Sequence, residues 1–147
     1  MQPTWILVAD RAQARLFSPT IEGGGLAELE DFINPEGRKP EAAYANDRPP
    51  RSFESMGPSS HAIQPHTTAE EKVAARFAHE LNDVLERGRV EHRYERLILV
   101  APPRFLGALH KAMGKQVSSC VVAQLDKDIV TLPASEIHEH LASQLGH

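Results

Sequence analysis

The chain has 147 residues, of which 41% are hydrophobic and 24% charged, with a formal net charge of −4 and a pI near 6.0. We therefore expect residues 1–147 to form a single globular domain, and the acidic balance argues against wholesale electrostatic binding to nucleic acid or to an anionic membrane. One cysteine, Cys120, allows no internal disulfide. The chain shows no signal peptide and no apolar run of about 18 residues, so we expect a cytoplasmic protein without membrane insertion.

The chain opens with three predicted strands. The β-prone run Thr4–Ala9 is followed by turn residues 10–13 and by a partner strand over residues 14–18. A glycine run at 23–25 marks a second reversal, and the more polar residues 26–33 fit a strand at the edge of a sheet. This pattern predicts an antiparallel meander.

Residues 34–66 break that pattern. They hold six of the eleven prolines and basic side chains that include Arg48 and Arg51, and they far exceed the usual connection of about 4–6 residues. One interpretation is a Pro-rich linker or insertion. The other is a recognition arm presented by a rigid scaffold, with His61 near its tip.

A long helix is predicted next. Thr67 or Thr68 forms a capping box with the glutamates at 70 and 71, and apolar residues recur at helical spacing before Gly88, which we expect to end the helix. The aliphatic run 97–100 predicts a central strand buried on both faces.

The two prolines at 102 and 103 stop that strand and favour a helix from residue 104 to about 115. A last strand over 120–125 and a terminal helix started by Pro133 complete the order β-β-β-α-β-α-β-α. We predict an α/β fold with a mixed five-stranded sheet, in which strands one, four and five form the parallel centre, a ribonuclease-H-like arrangement.

A ribonuclease-H-like sheet raises the question of a two-metal nuclease, which needs converging carboxylates. Asp10 is suitably placed and acids of the long helix could contribute, but Ala101 and two prolines stand at the end of the central strand. His138 and His140 are two residues apart on a helix, so they cannot share an ion. We predict no metal, no cofactor and no catalytic residue, and we interpret Cys120 as a buried, inert thiol.

Polar residues at strand ends and in the long segment form the remaining candidate site. Each one could serve instead as a cap or a weak surface ion pair. The functional interpretation joins Arg104, Lys127 and the basic residues of the long segment into a site for a phosphate-bearing or acidic partner. The predicted binding residues are Asp10, Arg15, Arg48, Arg51, His61, Arg104, Lys127 and Asp128.

Several motifs together resemble the bacterial host-attachment protein family over nearly the whole chain. They are Leu-Val-Ala-Asp at 7–10 with Ala-Arg-Leu-Phe at 14–17, the block Ala-Pro-Pro-Arg-Phe-Leu-Gly at 101–107, and Lys-Asp at 127–128 followed by Pro133. The family name implies a role in attachment of bacteria to host cells. It implies a phenotype and no particular chemical activity.

That family is similar in turn to the middle domain of eukaryotic and archaeal peptide-chain release factors. In those proteins the loop before the long helix carries Gly-Gly-Gln, which is absent from residues 55–61 here. The resemblance therefore implies a non-enzymatic binding module that associates with the ribosome or tRNA, and it does not imply peptide release. The alternatives are another protein as the partner, or a metal-dependent hydrolase or nuclease that uses Asp10 and Asp128.

Overall fold

The computed structural model describes residues 3–20, 24–38 and 68–145. Within these ranges the chain forms strands and helices in the order β1 (Thr4–Ala9), β2 (Gln13–Pro19), β3 (Leu26–Ile33), a 3-10 helix (Pro35–Arg38), α1 (Ala69–Val90), β4 (Arg96–Ala101), α2 (Pro103–Ala112), α3 (Lys115–Ser118), β5 (Val121–Asp126) and α4 (Ala134–Leu145).

The strands form one sheet in the order β3-β2-β1-β4-β5. β4 is parallel to β1 and β5, whereas β2 is antiparallel to β1 and β3. Strand two therefore opposes the other four, which is the ribonuclease-H-like arrangement predicted from the sequence. The mixed five-stranded α/β fold is confirmed, with β1 and β4 at the centre, β3 at one edge and β5 at the other.

Helices cover both faces of this sheet. Successive strand residues point to opposite sides, so Trp5 and Leu7 of β1 pack under α1 and α2, while Ile6 and Val8 pack against α4 on the other face. The last five residues of β1 and of β4 are all buried, which explains their nearly continuous apolar runs. The carboxyl ends of β1, β4 and β5 consequently meet at one edge of the sheet.

The predicted start of α1 is confirmed in detail. The hydroxyl of Thr68 accepts a hydrogen bond from the amide of Glu71, and the Glu71 carboxylate accepts one from the amide of Thr68, each at 3.0 Å. This reciprocal capping box satisfies two of the amide groups that a helix leaves unpaired at its first turn.

The predicted end of this helix at Gly88 is wrong, because α1 continues to Val90. Gly88 is buried against the indole of Trp5, and a Cβ on Gly88 would lie 2.5 Å from Cζ3 of that ring. Trp5 is itself stacked on Tyr94 with ring centroids 4.7 Å apart. Because glycine has no Cβ, it allows α1 to pack closely against the sheet at this position.

Two further boundaries differ from the prediction. α2 ends at Ala112, because Met113 adopts an extended conformation (ψ 134°) that turns its side chain into the core, and a separate short helix, α3, follows. Cys120 lies just before β5 rather than within it and is half-buried, with Sγ 3.6 Å from the carbonyl oxygen of Gln116. Among the residues that the structure describes, no helix combines the length and apolar character needed to cross a membrane.

Candidate functional site

A cleft of about 770 Å³ opens at the carboxyl ends of β1 and β4 and continues as a groove between α1 and α2. Parallel α/β sheets commonly bind ligands at this edge. The lining residues come from the β1–β2 turn, the 3-10 helix, the first turns of α1, most of α2 and the loop after β5. The polar ones are Asp10, Arg11, Glu70, Glu71, His79, Arg104, Lys111 and Asp128.

Asp10 shapes the turn between β1 and β2. Its Oδ1 accepts hydrogen bonds from the amides of Ala12 at 2.7 Å and Gln13 at 2.9 Å. An aspartate that bonds to backbone amides two and three residues ahead forms an Asx turn. This carboxylate lines the cleft, and one of its oxygens holds the local backbone in shape.

We expect Asp10→Ala to lower the free energy of unfolding by about 1–2 kcal/mol, because two amides lose their acceptor. Asp10→Asn keeps the carbonyl oxygen and should stay within about 0.5 kcal/mol of the parent protein. Urea denaturation of the two variants measures the difference. An asparagine variant as unstable as the alanine variant would contradict the Asx-turn role of Oδ1.

The rim of the cleft is built where the β1–β2 turn meets the 3-10 helix. Arg11 forms an ion pair with Glu70 of α1, and its Nε donates to the carbonyl oxygen of Gly37 at 3.1 Å. Asn34 Nδ2 donates to the carbonyl oxygen of Arg11 at 2.8 Å. A Cβ on Gly37 would overlap that same carbonyl, so only glycine permits this approach. The described backbone on both sides of residues 39–67 therefore lies at the rim.

The wall formed by α2 is basic. α2 begins with Pro103 after Pro102, and no side chain caps its first turn. Arg104 and Lys111 are exposed and line the cleft. They are seven positions apart in the helix, so both lie on one face, about 10 Å apart along the axis. Neither side chain forms an ion pair or hydrogen bond with another described residue.

The opposite wall is formed by α1 and carries two glutamates. Both carboxylates are already bonded to other groups of the chain. Glu70 pairs with Arg11, and Glu71 belongs to the capping box at Thr68. Asp128, in the loop after β5, has no ion pair or hydrogen bond with the rest of the described chain. The cleft thus contains two cations and one carboxylate that form no ion pair or hydrogen bond with described neighbours.

Arg15 lies on the other face of the sheet. Its Nη1 donates to the carbonyl oxygens of Val130 at 2.7 Å and Leu132 at 2.6 Å, and its Nη2 lies 3.0 Å from Oε1 of Glu28. The guanidinium also covers the ring of Phe17 at 5.0 Å. Arg15 therefore links the loop after β5 to β2 and β3 through hydrogen bonds and an ion pair. These contacts lie away from the cleft.

The predicted site residues are thus only partly brought together. Asp10, Arg104 and Asp128 line the cleft, and Lys127 lies beside it, with its backbone amide donating to the carbonyl oxygen of Ala101 at 3.1 Å. The predictions for Arg48, Arg51 and His61 fall outside the described residues. Within the described ranges, no three histidine, cysteine, aspartate or glutamate side chains are grouped closely enough to hold a metal ion.

The sequence analysis missed Arg11, His79 and Lys111. Lys111 follows Arg104 by seven residues, and this two-turn spacing on a predicted helix was the signal that would have found it. His79 and Arg11 had no comparable signal, because their place in the cleft depends on how α1 packs across the end of β1.

These features describe a mixed α/β fold with a ligand-sized cleft at the carboxyl edge of its parallel strands. A family model described as "Protein required for attachment to host cells" matches residues 5–141. The chain therefore belongs to this host-attachment family. No curated protein matches the chain.

Solved structures similar to this chain are distant. One is an archaeal translation termination factor, with a TM-score of 0.45 and 8% identity over 98% of this chain and 39% of that one. Another is a Ppx/GppA phosphatase from Aquifex aeolicus, with a TM-score of 0.44 and 14% identity over 85% of this chain and 35% of that one. The chain spans less than half the length of each.

Proposed function

We propose that this protein is a single-domain, non-enzymatic binding module of the cytoplasm. It binds a phosphate-bearing partner at the cleft, and that partner is ribosomal or transfer RNA. The observation that carries the proposal is the unequal use of charge in the cleft. The carboxylates of Glu70 and Glu71 are bonded to neighbours. Two cations, Arg104 and Lys111, and one carboxylate, Asp128, line the cleft without a partner among the described residues.

The start of α2 supports an anionic ligand at the same place. The first amides of a helix carry partial positive charge and favour phosphate groups. Those of Arg104 and Phe105 lie in a first turn that has no side-chain cap. An arginine side chain beside such amides is a common arrangement for binding phosphate.

RNA is the phosphate-bearing partner that we propose, because the host-attachment family, which the sequence resembles, is similar in turn to release-factor middle domains. The net charge of −4 restricts the attraction to a local patch, since the whole surface does not attract polyanions. Segment 34–66, with its predicted contacts Arg48, Arg51 and His61, joins the described chain at the rim of the cleft. We propose that these residues add contacts to the same RNA.

Fluorescence anisotropy with labelled tRNA tests the proposal. We expect Arg104→Ala and Lys111→Ala each to weaken binding about tenfold, the loss typical of a charge-assisted contact. Each should also reduce the slope of log K against log salt by about one contact. Arg87→Ala is the matched control, because it removes an arginine that is also exposed, from a part of α1 outside the cleft, and we expect no change in affinity.

Two outcomes would contradict the proposal. Absence of tRNA binding at 50 mM salt together with absence of ribosome binding would exclude RNA as the partner. Equal losses in the Arg104→Ala and Arg87→Ala variants would show that binding follows net charge and does not occur at the cleft.

A metal-dependent hydrolase is the alternative of a different class. Asp10 and Asp128 do line one cleft, but Oδ1 of Asp10 is bonded to two backbone amides and Glu70 is paired with Arg11. The remaining carboxylates of the described chain form no group suited to a metal ion. The geometry therefore favours the binding module over the hydrolase.

A further inference from the structure

One carboxylate of the cleft lies where it would oppose the function proposed above, on which this inference rests. α1 and α2 both begin at the cleft, and Glu70 and Arg104 are each the second residue of their helix. An unpaired carboxylate at Glu70 would repel a bound phosphate and attract the guanidinium that binds it. For α1 itself the acid is favourable, because a negative charge in the first turn stabilises a helix.

Arg11 is held beside this carboxylate by contacts within the rim. Its Nη1 pairs with Glu70, and its Nε donates to the carbonyl oxygen of Gly37 at 3.1 Å. The carbonyl oxygen of Arg11 accepts a hydrogen bond from Nδ2 of Asn34 at 2.8 Å, and Oδ1 of Asp10 fixes the turn that carries Arg11. The position of the guanidinium is therefore set from the side of the rim.

The exposure of the two side chains shows how far Glu70 depends on Arg11. The Glu70 side chain is 17% exposed and that of Arg11 is 35% exposed. A carboxylate with little access to water loses much when its partner is removed, because water replaces the lost charge poorly. In the absence of the Arg11 side chain, Arg104 and Lys111, which form no ion pair within the described chain, are the cations of the cleft available to pair with Glu70.

We propose that Arg11 is a positioning residue of the cleft, which pairs with Glu70 and so keeps that carboxylate from competing with phosphate for Arg104. The first turn of α1 keeps its acid, and the charge of that acid does not act on the ligand. Arg11 itself does not contact the phosphate, because its Nε and Nη1 stay bonded to Gly37 and Glu70.

A double-mutant cycle with labelled tRNA tests this role. We expect Arg11→Ala to weaken binding about fivefold, because one uncompensated negative charge then faces the ligand. Glu70→Gln should bind more tightly than the parent protein, because Arg11 then carries an unpaired charge. The double variant with both substitutions should return to the parent affinity with an unchanged salt slope. Arg93→Ala is the matched control, because it removes the ion-pair partner of Glu91 outside the cleft, and affinity should not change.

The double variant separates this role from two others. A purely structural role through the hydrogen bond to Gly37 would not be rescued, because Glu70→Gln does not restore that bond. A direct contact of Arg11 with phosphate would leave the double variant weak and lower its salt slope by about one. Either result would overturn the inference, as would parent affinity in Arg11→Ala.

Thermal melting shows whether each variant folds. If Arg11→Ala does not fold, Glu70→Gln decides alone: tighter binding than the parent supports the inference, and equal or weaker binding overturns it. If Arg104→Ala weakens binding and the double variant is not rescued, the proposed function stands and the role of Arg11 fails. Absence of binding of the parent protein to tRNA and to ribosomes would overturn both.

Discussion

Arg15→Ala is expected to lower the free energy of unfolding by about 3 kcal/mol, the largest effect of any single change considered. The substitution leaves the carbonyl oxygens of Val130 and Leu132 without their donor and removes the partner of Glu28. Hydrogen bonds to a charged group contribute about 1.5–3 kcal/mol when partly buried. For a chain of this size the melting temperature should fall by about 10 °C, which differential scanning calorimetry measures.

Arg15→Lys separates the charge of this residue from its geometry. An ammonium group keeps the positive charge but cannot direct parallel donors to two carbonyl oxygens and a carboxylate at once, so we expect about half of the loss. Glu28→Gln, which leaves both carbonyl contacts in place, should cost less than about 1 kcal/mol. If Arg15→Ala melted like the parent protein but lost RNA affinity, Arg15 would be a binding residue, as the sequence analysis has it.

Gly88→Ala is expected to destabilise the protein by about 2 kcal/mol, although alanine is the better helix former. The exchange favours a helix by about 1 kcal/mol, but the new Cβ would overlap the indole of Trp5. That ring is held by its stacking on Tyr94, whose hydroxyl donates to the carbonyl oxygen of Leu85 at 2.7 Å. Overpacking in a rigid core typically costs about 1–3 kcal/mol, and here the upper part of that range applies.

Gly107→Ala is the matched control for this substitution. Gly107 is also helical, and its Cβ would meet nothing within 4 Å, so the same exchange should stabilise by about 0.5–1 kcal/mol. Chemical denaturation should show that the free energy of unfolding falls in Gly88→Ala and rises in Gly107→Ala. If Gly88→Ala stabilised the protein as much as Gly107→Ala, the close approach of Gly88 to Trp5 would be contradicted.

Local signals predicted much of the fold. A β-prone apolar run located Thr4–Ala9 to the residue, and the glycines at 23–25 located the start of Leu26–Ile33. Thr68 with Glu71 indicated the start of α1. Prolines at 102 and 103 correctly separated β4 from α2. In each case the deciding interactions lie within a few residues along the chain, so they are visible in the sequence.

The errors arose where the deciding contact is distant in sequence. A glycine such as Gly88 commonly ends a helix. Here it lies inside α1, where the lack of a Cβ lets the helix approach Trp5 of β1. The binding role of Arg15 stays a prediction. Its contacts with Val130 and Leu132 could not be foreseen, because those residues lie on a loop that only the tertiary fold brings near. Spacing within one element cannot reveal either contact.

The candidate site was predicted in part for the same reason. Asp10, Arg104 and Asp128 each follow the carboxyl end of a strand, and the carboxyl ends of parallel strands lie at one edge of the sheet. His79 is on a helix face whose direction depends on how α1 crosses the sheet. Its place in the cleft could not be read from neighbouring residues.

Sedimentation of a cell lysate through a sucrose gradient, with blotting for this protein, tests the central proposal most directly. The parent protein is expected to migrate with ribosomal particles at low salt and to dissociate as salt rises, because the contacts are ionic. Arg104→Ala should move toward the top of the gradient, while Arg87→Ala should behave like the parent. Migration of the parent protein only at the top at every salt concentration, together with no binding to purified tRNA, would contradict the account.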